Sequence, residues 1–174
     1  MTSWPSWLAT RLSPNNPPNP TLSDLGLLAL RLWVGQEFLL AAWTKVSAGP
    51  HAPEWFATLQ FPWPQALLPA DVNWVMAGWG ECLLSLALIL GLGSRLAAVG
   101  LLYITFVAVY SVHFDLGWAG WNQIDTEQGL GFKVPLMLAV MLLAVATQGP
   151  GRLALSHALG RWWPAQPGRA ARTA

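Results

Sequence analysis

Apolar residues run almost unbroken through four stretches of the chain, about Leu25–Ala48, Val72–Leu92, Arg95–Phe114 and Leu130–Gln148. Each is close to the roughly 20 residues a helix needs to cross a bilayer. The strict polar/apolar alternation of a membrane barrel strand is absent from them. A helix satisfies its own backbone groups in lipid, so the pattern predicts an all-α, integral membrane four-helix bundle. Between the second and third spans stands "GLGSR", where Gly93 is expected to end one helix and Ser94 to cap the next, making the two antiparallel neighbours. The first and second spans are joined by "GPHAPEWFATLQFPWPQALLPAD", which predicts a short interfacial helix around Glu54–Gln60 and a Pro-stiffened return. The loop "DLGWAGWNQIDTEQ" links the third span to the fourth. Residues 25–160 are thus the transmembrane domain, with 1–24 a disordered leader and 161–174 a flexible basic tail. The leader is too long and too rich in Pro and Asn for a signal-peptide n-region, so the first span is expected to be retained.

Composition sharpens this picture. Of 174 residues, 54% are hydrophobic and only 10% charged, well below the roughly 25% of a soluble domain. Twelve tryptophans suit a protein whose amphipathic rings sit at the two membrane interfaces. A net charge of +1 carries no nucleic-acid footprint. Cys82 is the only cysteine, which excludes an intrachain disulfide, a CxxC relay and a multi-cysteine zinc site. Arg11, Arg31, Arg95, Arg152, Arg161, Arg169 and Arg172 fall on one side of the spans, and only Lys45 and Lys133 on the other. The positive-inside rule then puts both termini and the tight turn in the cytoplasm and both aromatic loops outside, in a bacterial inner membrane.

Ionisable residues inside the spans are the candidate chemistry, because lipid makes them costly. Glu37 and Glu81 lie ~16 Å and ~15 Å below the outer ends of their antiparallel helices, at 1.5 Å per residue, and are expected to face one another. Ala77, Gly78 and Ser85 share the face of Glu81, and small residues let another helix approach, so this face points into the bundle. Tyr103, Tyr110 and His113 recur at helical spacing on the third span. An outward-opening polar pocket is therefore expected, built from Glu37, Glu81, Tyr110, His113 and Lys133. Each has a plainer role: a neutral Glu bonded across helices, an interfacial His, snorkelling Lys45 and Lys133, packed tyrosines. One Glu, one His and one Cys do not make a metal site, and none is expected.

Several segments in order resemble one family. "LALRLWVGQEFLLAAWTKV" resembles the first helix of the DoxX family, and "WFATLQFPWPQALLP" its outer loop. "GWGECLLSLALILGLGSRLAAVGLL" resembles its second helix, with a membrane Glu and a Gly-x-x-Arg-x-Ala-Ala turn, and "QGPGRLALSHAL" resembles its closing segment. Where the family ends in Ser-x-Asp, this chain reads Ala154-Leu155-Ser156-His157. The resemblance implies a four-helix membrane protein associated with redox and sulfur metabolism. Some relatives resemble the small membrane subunit of a thiosulfate:quinone oxidoreductase. "QFPWPQALLP" leans toward an HvfX-like branch that accompanies maturation of copper-binding peptides.

Two functions of different class follow as expectations. The first is the membrane subunit of a redox complex that handles a quinone or similar lipophilic carrier. Trp43, Trp74, Trp79 and Tyr110 would line its slot, with Glu37 and Lys133 nearby, while Glu81 and His113 exchange protons. Electrons would come from a protein partner. The second is a non-catalytic anchor or assembly factor whose outer loops dock a periplasmic enzyme or metal-binding peptide. A small transporter fits less well unless the chain oligomerises, because the inner half of the bundle offers few polar groups.

Overall fold

A computed structural model of the chain describes residues 20–157. Of the leader expected to be disordered at 1–24, residues 20–24 belong to a helix and 1–19 lie outside the described residues, as does the whole expected tail at 161–174. Five helices follow in order: α1 (Pro20–Ser47), α2 (Glu54–Ala57), α3 (Ala70–Leu90), α4 (Ser94–Val112) and α5 (Lys133–Gln148). Short 3-10 turns at Gln65–Leu67 and Gly117–Asn122, and a hairpin of β1 (Asp125–Thr126) against β2 (Gly129–Leu130), complete the loops. The segment Leu22–Ser47, α3 and α4 are long and apolar enough to cross a membrane, with mean hydropathies of 1.4, 1.4 and 1.8. The apolar α5 has 16 residues and spans about 24 Å.

The helix ends depart from expectation for local reasons. α1 starts five residues before Leu25, because Pro20 suits a first helical turn, where no N–H is required. Asp24 then accepts a hydrogen bond from the backbone of Arg152 at 2.8 Å, tying this start to the segment after α5. α2 stops at Ala57, three residues short of Gln60. Gly91, not Gly93, ends α3: at φ +76° it adopts the left-handed conformation that closes a helix. Ser94 opens α4 without capping it, and its Oγ is buried with no partner. α5 begins at Lys133 rather than Leu130 because Leu130 is held in β2, while the Gly131 and Phe132 amides bond to Ile124 and Gly120.

α1 packs along α3, and α4 along α5, around a core of Val34, Phe38, Leu88, Ala98, Leu101, Leu142 and Val145. Close approach depends on glycine. A Cβ on Gly35 would fall 2.4 Å from Ile89 Cγ1, and one on Gly78 would fall 3.1 Å from the Cβ of Lys45. Leucines, tryptophans and phenylalanines such as Trp33, Leu83, Leu96 and Phe106 cover the outside. Water would penalise such a surface, whereas lipid accepts it.

At the end of the bundle that holds the α3–α4 turn, Arg31 is buried although it lies in an apolar helix. Its guanidinium donates to the carbonyls of Pro150, Ile89 (3.4 Å) and Leu153 (3.1 Å). Ile89 is in the last turn of α3, where the helix dipole favours a cation. Arg31 therefore clasps three chain segments at this end, while the two long loops close the other.

Candidate functional site

Glu81 sits just past the middle of α3, on the buried face shared with Gly78 and Ser85, as the spacing of small residues predicts. Its Oε2 accepts a hydrogen bond from Lys45 Nζ at 2.7 Å, with the two side chains 7% and 20% exposed. Helical side chains lean toward the N-terminus of their own helix. Lys45 does so here, and Nζ also reaches the carbonyl of Ala41 at 3.3 Å. Rather than snorkelling outward, this lysine turns inward and neutralises the carboxylate.

Glu37 does not face Glu81. Gly35 lies opposite Ile89 and Gly78 opposite Val46, so the antiparallel register places Glu37 level with Ala87. That is six residues, or about 9 Å, deeper than Glu81. The expectation of equal depth assumed that both helices reach the same plane, whereas α3 begins farther out than α1 ends. Half-buried Glu37 lines neither cavity described below.

Glu81 opens onto a cavity of about 450 Å³ between α3, α4 and the α1–α3 loop. Trp55, Phe56 and Phe61 roof it, and Met76, Leu84, Ile104 and Val107 form apolar walls. Lys45, Gln65, Asn73, Tyr103, Ser111 and His113 supply its polar groups. The roof is an edge-on aromatic cluster, with Phe56 and Trp74 centroids 5.0 Å apart and Trp55 and Trp74 6.2 Å apart. Trp74 Nε1 anchors it by donating to Gly49 O at 3.1 Å. The Tyr103 hydroxyl and Gln65 Oε1 are 2.6 Å apart, and Asn73 Nδ2 donates to Gln65 O at 2.9 Å, so loop and helices close on one another.

Two polar atoms at this site are buried without a partner: His113 Nδ1 and Ser111 Oγ. An unpaired buried polar atom is costly unless something bonds to it. His113 stands just past the end of α4, and burial holds its imidazole below the ordinary histidine range, against the opposing pull of Asp115 and the Gly131 backbone. It is therefore biased toward the neutral form, in which one ring nitrogen can accept a proton. The hydrogen-bonded Lys45–Glu81 pair stands part-way down the same cavity, with one carboxylate oxygen held by the lysine and the other making no hydrogen bond.

Of the expected site residues, Glu81 and His113 line this cavity, Trp74 packs behind its roof, and the others stand elsewhere. Trp43 is 71% exposed on the outside of α1, and Tyr110, exposed beside Phe106 two turns beyond Tyr103 on α4, does not line the cavity. Trp74 and Trp79 line a smaller groove of about 180 Å³ between α1 and α3, on the other side of Lys45. Lys133 begins α5 and lines neither cavity. Helical spacing puts Tyr103 and Tyr110 on nearly one face of α4 but about two turns apart in depth, and Tyr103 takes the place expected of Tyr110. Lys45, Gln65, Asn73 and Ser111 also went unread. For Lys45 a signal existed: a carboxylate inside a span needs a cation, and this lysine is within reach on the neighbouring helix. Among the described residues no group of three or more His, Cys, Asp or Glu is placed to hold a metal ion.

Comparison with known proteins adds to the geometry. A family model described as DoxX matches residues 26–114. An uncharacterized protein of Haemophilus influenzae is 36% identical over 144 residues, covering 82% of this chain and 88% of its own length. No solved structure matches the chain significantly.

Proposed function

The chain belongs to the DoxX family of membrane proteins, and from that premise we propose that it is the membrane subunit of a redox complex, handling a quinone or similar lipophilic carrier in the cavity beside Glu81. One observation carries this reading: an apolar, aromatic-roofed cavity that holds a buried ion pair together with two unpartnered polar atoms, His113 Nδ1 and Ser111 Oγ. Its volume lies within the roughly 300–1,000 Å³ of small-molecule pockets, which pair apolar walls with a few polar groups. A quinone would supply two-electron chemistry at its ring, with electrons from a protein partner, since one cysteine forms no dithiol relay.

The chain's own residues then have distinct tasks. His113 Nδ1 and Ser111 Oγ bond the polar edge of the ring and orient it. Lys45 holds one oxygen of Glu81, leaving the other, which makes no hydrogen bond, to take or give a proton at the ligand. Trp55, Phe56 and Phe61 exclude water, which strengthens each of these polar contacts. The arginine bias supports four spans in a bacterial inner membrane, with both termini in the cytoplasm and the cavity toward the periplasm.

Mass spectrometry of small molecules retained in polymer-extracted native nanodiscs tests the reading, with wild type beside Glu81→Gln and His113→Gln. Quinone held by the wild type and lost from equally folded variants is the expected result. No quinone in any of the three overturns it. The exposed Trp63 and Trp118, one on each long loop, favour the alternative of an anchor or assembly factor that docks a periplasmic partner. In that case Glu81→Gln lowers the amount of folded protein and changes no bound molecule.

A further inference from the structure

The outward faces of α3 and α5 are apolar, with Met76 and Leu83 exposed on the first and Val140 and Leu143 on the second. α1 is different. Gln36 is exposed and Glu37 half-buried within this apolar helix, and neither has a hydrogen-bond or ion-pair partner among the described residues. Glu37 is level with Ala87, about one turn inside the end of α3, so both groups stand within the span. Lipid tails offer no hydrogen bond, and a polar group among them is costly until another side chain meets it. Neither residue lines a cavity, so the site beside Glu81 makes no use of them.

Their placement around α1 is specific. Buried Val34, Phe38 and Ala42 mark the face that packs into the bundle. Trp33 and Leu40, 59% and 64% exposed, lie on the line directly opposite. At 3.6 residues per turn, Gln36 and Glu37 stand about 50° to either side of that line and at nearly one depth. Two copies inserted in one membrane share an orientation, so a two-fold axis relating them runs along the membrane normal and sets their α1 helices parallel. Such an axis brings a residue on one side of the line against the partner's residue on the other side. Gln36 of each copy then meets the partner's Glu37, and the contact is made twice. The amide N–H donates to a carboxyl oxygen, so the two groups complement one another. Between the two contacts, Trp33 and Leu40 meet their own counterparts.

We infer that the outward face of α1 docks a second copy of this chain, through paired Gln36–Glu37 hydrogen bonds across a two-fold axis. An unrelated membrane protein would have to bring its own acceptor and donor at matching depth and angle, whereas symmetry alone places them correctly in a second copy. The cavity lies on the α3–α4 side of the bundle, and α1 contributes only Lys45 to it, so docking leaves it accessible in both copies. The inference therefore stands apart from the carrier reading. It gives a task to Glu37, which meets neither Glu81 nor a cavity within one copy.

The test uses the full-length chain with its single cysteine removed by Cys82→Ala, reconstituted in liposomes over a range of protein-to-lipid ratios. Donor and acceptor dyes on Thr58→Cys, in an exposed loop, report association by energy transfer. Transfer above the level of random mixing is expected at the higher ratios. Gln36→Leu and Glu37→Leu should each remove both hydrogen-bonded contacts and weaken association by about tenfold. The double variant Gln36→Glu with Glu37→Gln exchanges donor and acceptor, keeps the pairing by symmetry, and should return to within about twofold of the parent. In separate proteins, Leu40→Cys should form an intermolecular disulfide under mild oxidation, and Leu83→Cys on the outside of α3 should not. The cross-linking leaves Gln36 and Glu37 unaltered, so it decides the face even where a leucine variant folds poorly. Transfer no higher than random mixing at every ratio overturns the inference, since the two groups then reach only headgroups or water. Dimers that withstand both leucine variants, or that cross-link through Leu83→Cys and not Leu40→Cys, use another face and overturn it as well. An exchanged double variant as weak as the single ones does the same, because the amide and carboxyl then do not pair across the axis.

Discussion

The decisive residue is Lys45, because its position determines what Glu81 can do. Removing one partner of a buried ion pair strands the other charge, a loss of about 3–5 kcal/mol in dry interiors. Lys45→Met should therefore destabilise the bundle by up to about 3 kcal/mol, the lower figure reflecting the lysine's partial exposure. The double variant Lys45→Met with Glu81→Gln should recover most of that loss. Unfolding in mixed detergent micelles measures both, and a double variant as unstable as the single one would show that the pair is not the cause. His113 makes a separate prediction. Its proton affinity is depressed in the fold, so the unfolded chain binds the proton more readily. Stability contributed by neutral His113 is complete above its ordinary pKa of about 6.5 and falls as pH drops through that value toward the lower folded one. His113→Gln should flatten stability between about pH 7 and pH 5. An unchanged slope would place the titrating group elsewhere.

Among the helices, the α1–α3 pair is held by close approach at glycine. Gly35 and Gly26 lie in the same helix and separate two effects of substitution. A Cβ at Gly35 would collide with Ile89 at 2.4 Å and stand 3.4 Å from the Ser85 carbonyl, whereas one at Gly26 meets nothing within 4 Å. Gly35→Ala should force α1 away from α3 and cost about 1–3 kcal/mol, typical of overpacking. Gly26→Ala should be neutral or add up to about 1 kcal/mol through helix propensity. Thermal melts of the two variants in one detergent are sufficient, and similar melting temperatures would show that α1 and α3 can separate without cost. The α3–α4 pair differs, touching at Gly100 and Leu84 and opening above them, so one seam is packed and the other is a slot.

At the scale of the whole molecule, the two ends of the bundle have different work. One end is closed by Arg31, which gathers the carbonyls of Pro150, Ile89 and Leu153. The other is closed by aromatic loops over a cavity. With Arg31, Arg95 and Arg152 at the clasped end, the proposed topology exposes the cavity end to the periplasm. With Cys82 replaced by Ala, cysteines at exposed Thr58 and Glu127 should react with a membrane-impermeant maleimide in intact cells, and one at Arg95 only after lysis. Labelling of all three positions from one side would rule out this four-span arrangement.

Much of this was legible in the sequence, and the line between legible and illegible has a physical origin. Hydropathy located the apolar helices, since the cost of burying backbone in lipid acts on every residue of a span, whatever it packs against. The face of Glu81 was readable for a similar reason, because Gly78 and Ser85 mark close approach wherever the partner helix comes from. Sequence alone thus determined an all-α membrane bundle with a carboxylate turned inward. Register was beyond its reach. Whether Glu81 meets Glu37 or Lys45, and whether Tyr103 or Tyr110 enters the cavity, depends on how far one helix slides and rotates against the next. Loop length and the interlocking of Gly35 with Ile89 and Gly100 with Leu84 set that slide. A shift of two turns moves a contact by about 11 Å without altering the hydropathy of any residue, so only the tertiary structure could pair the charges and open the slot.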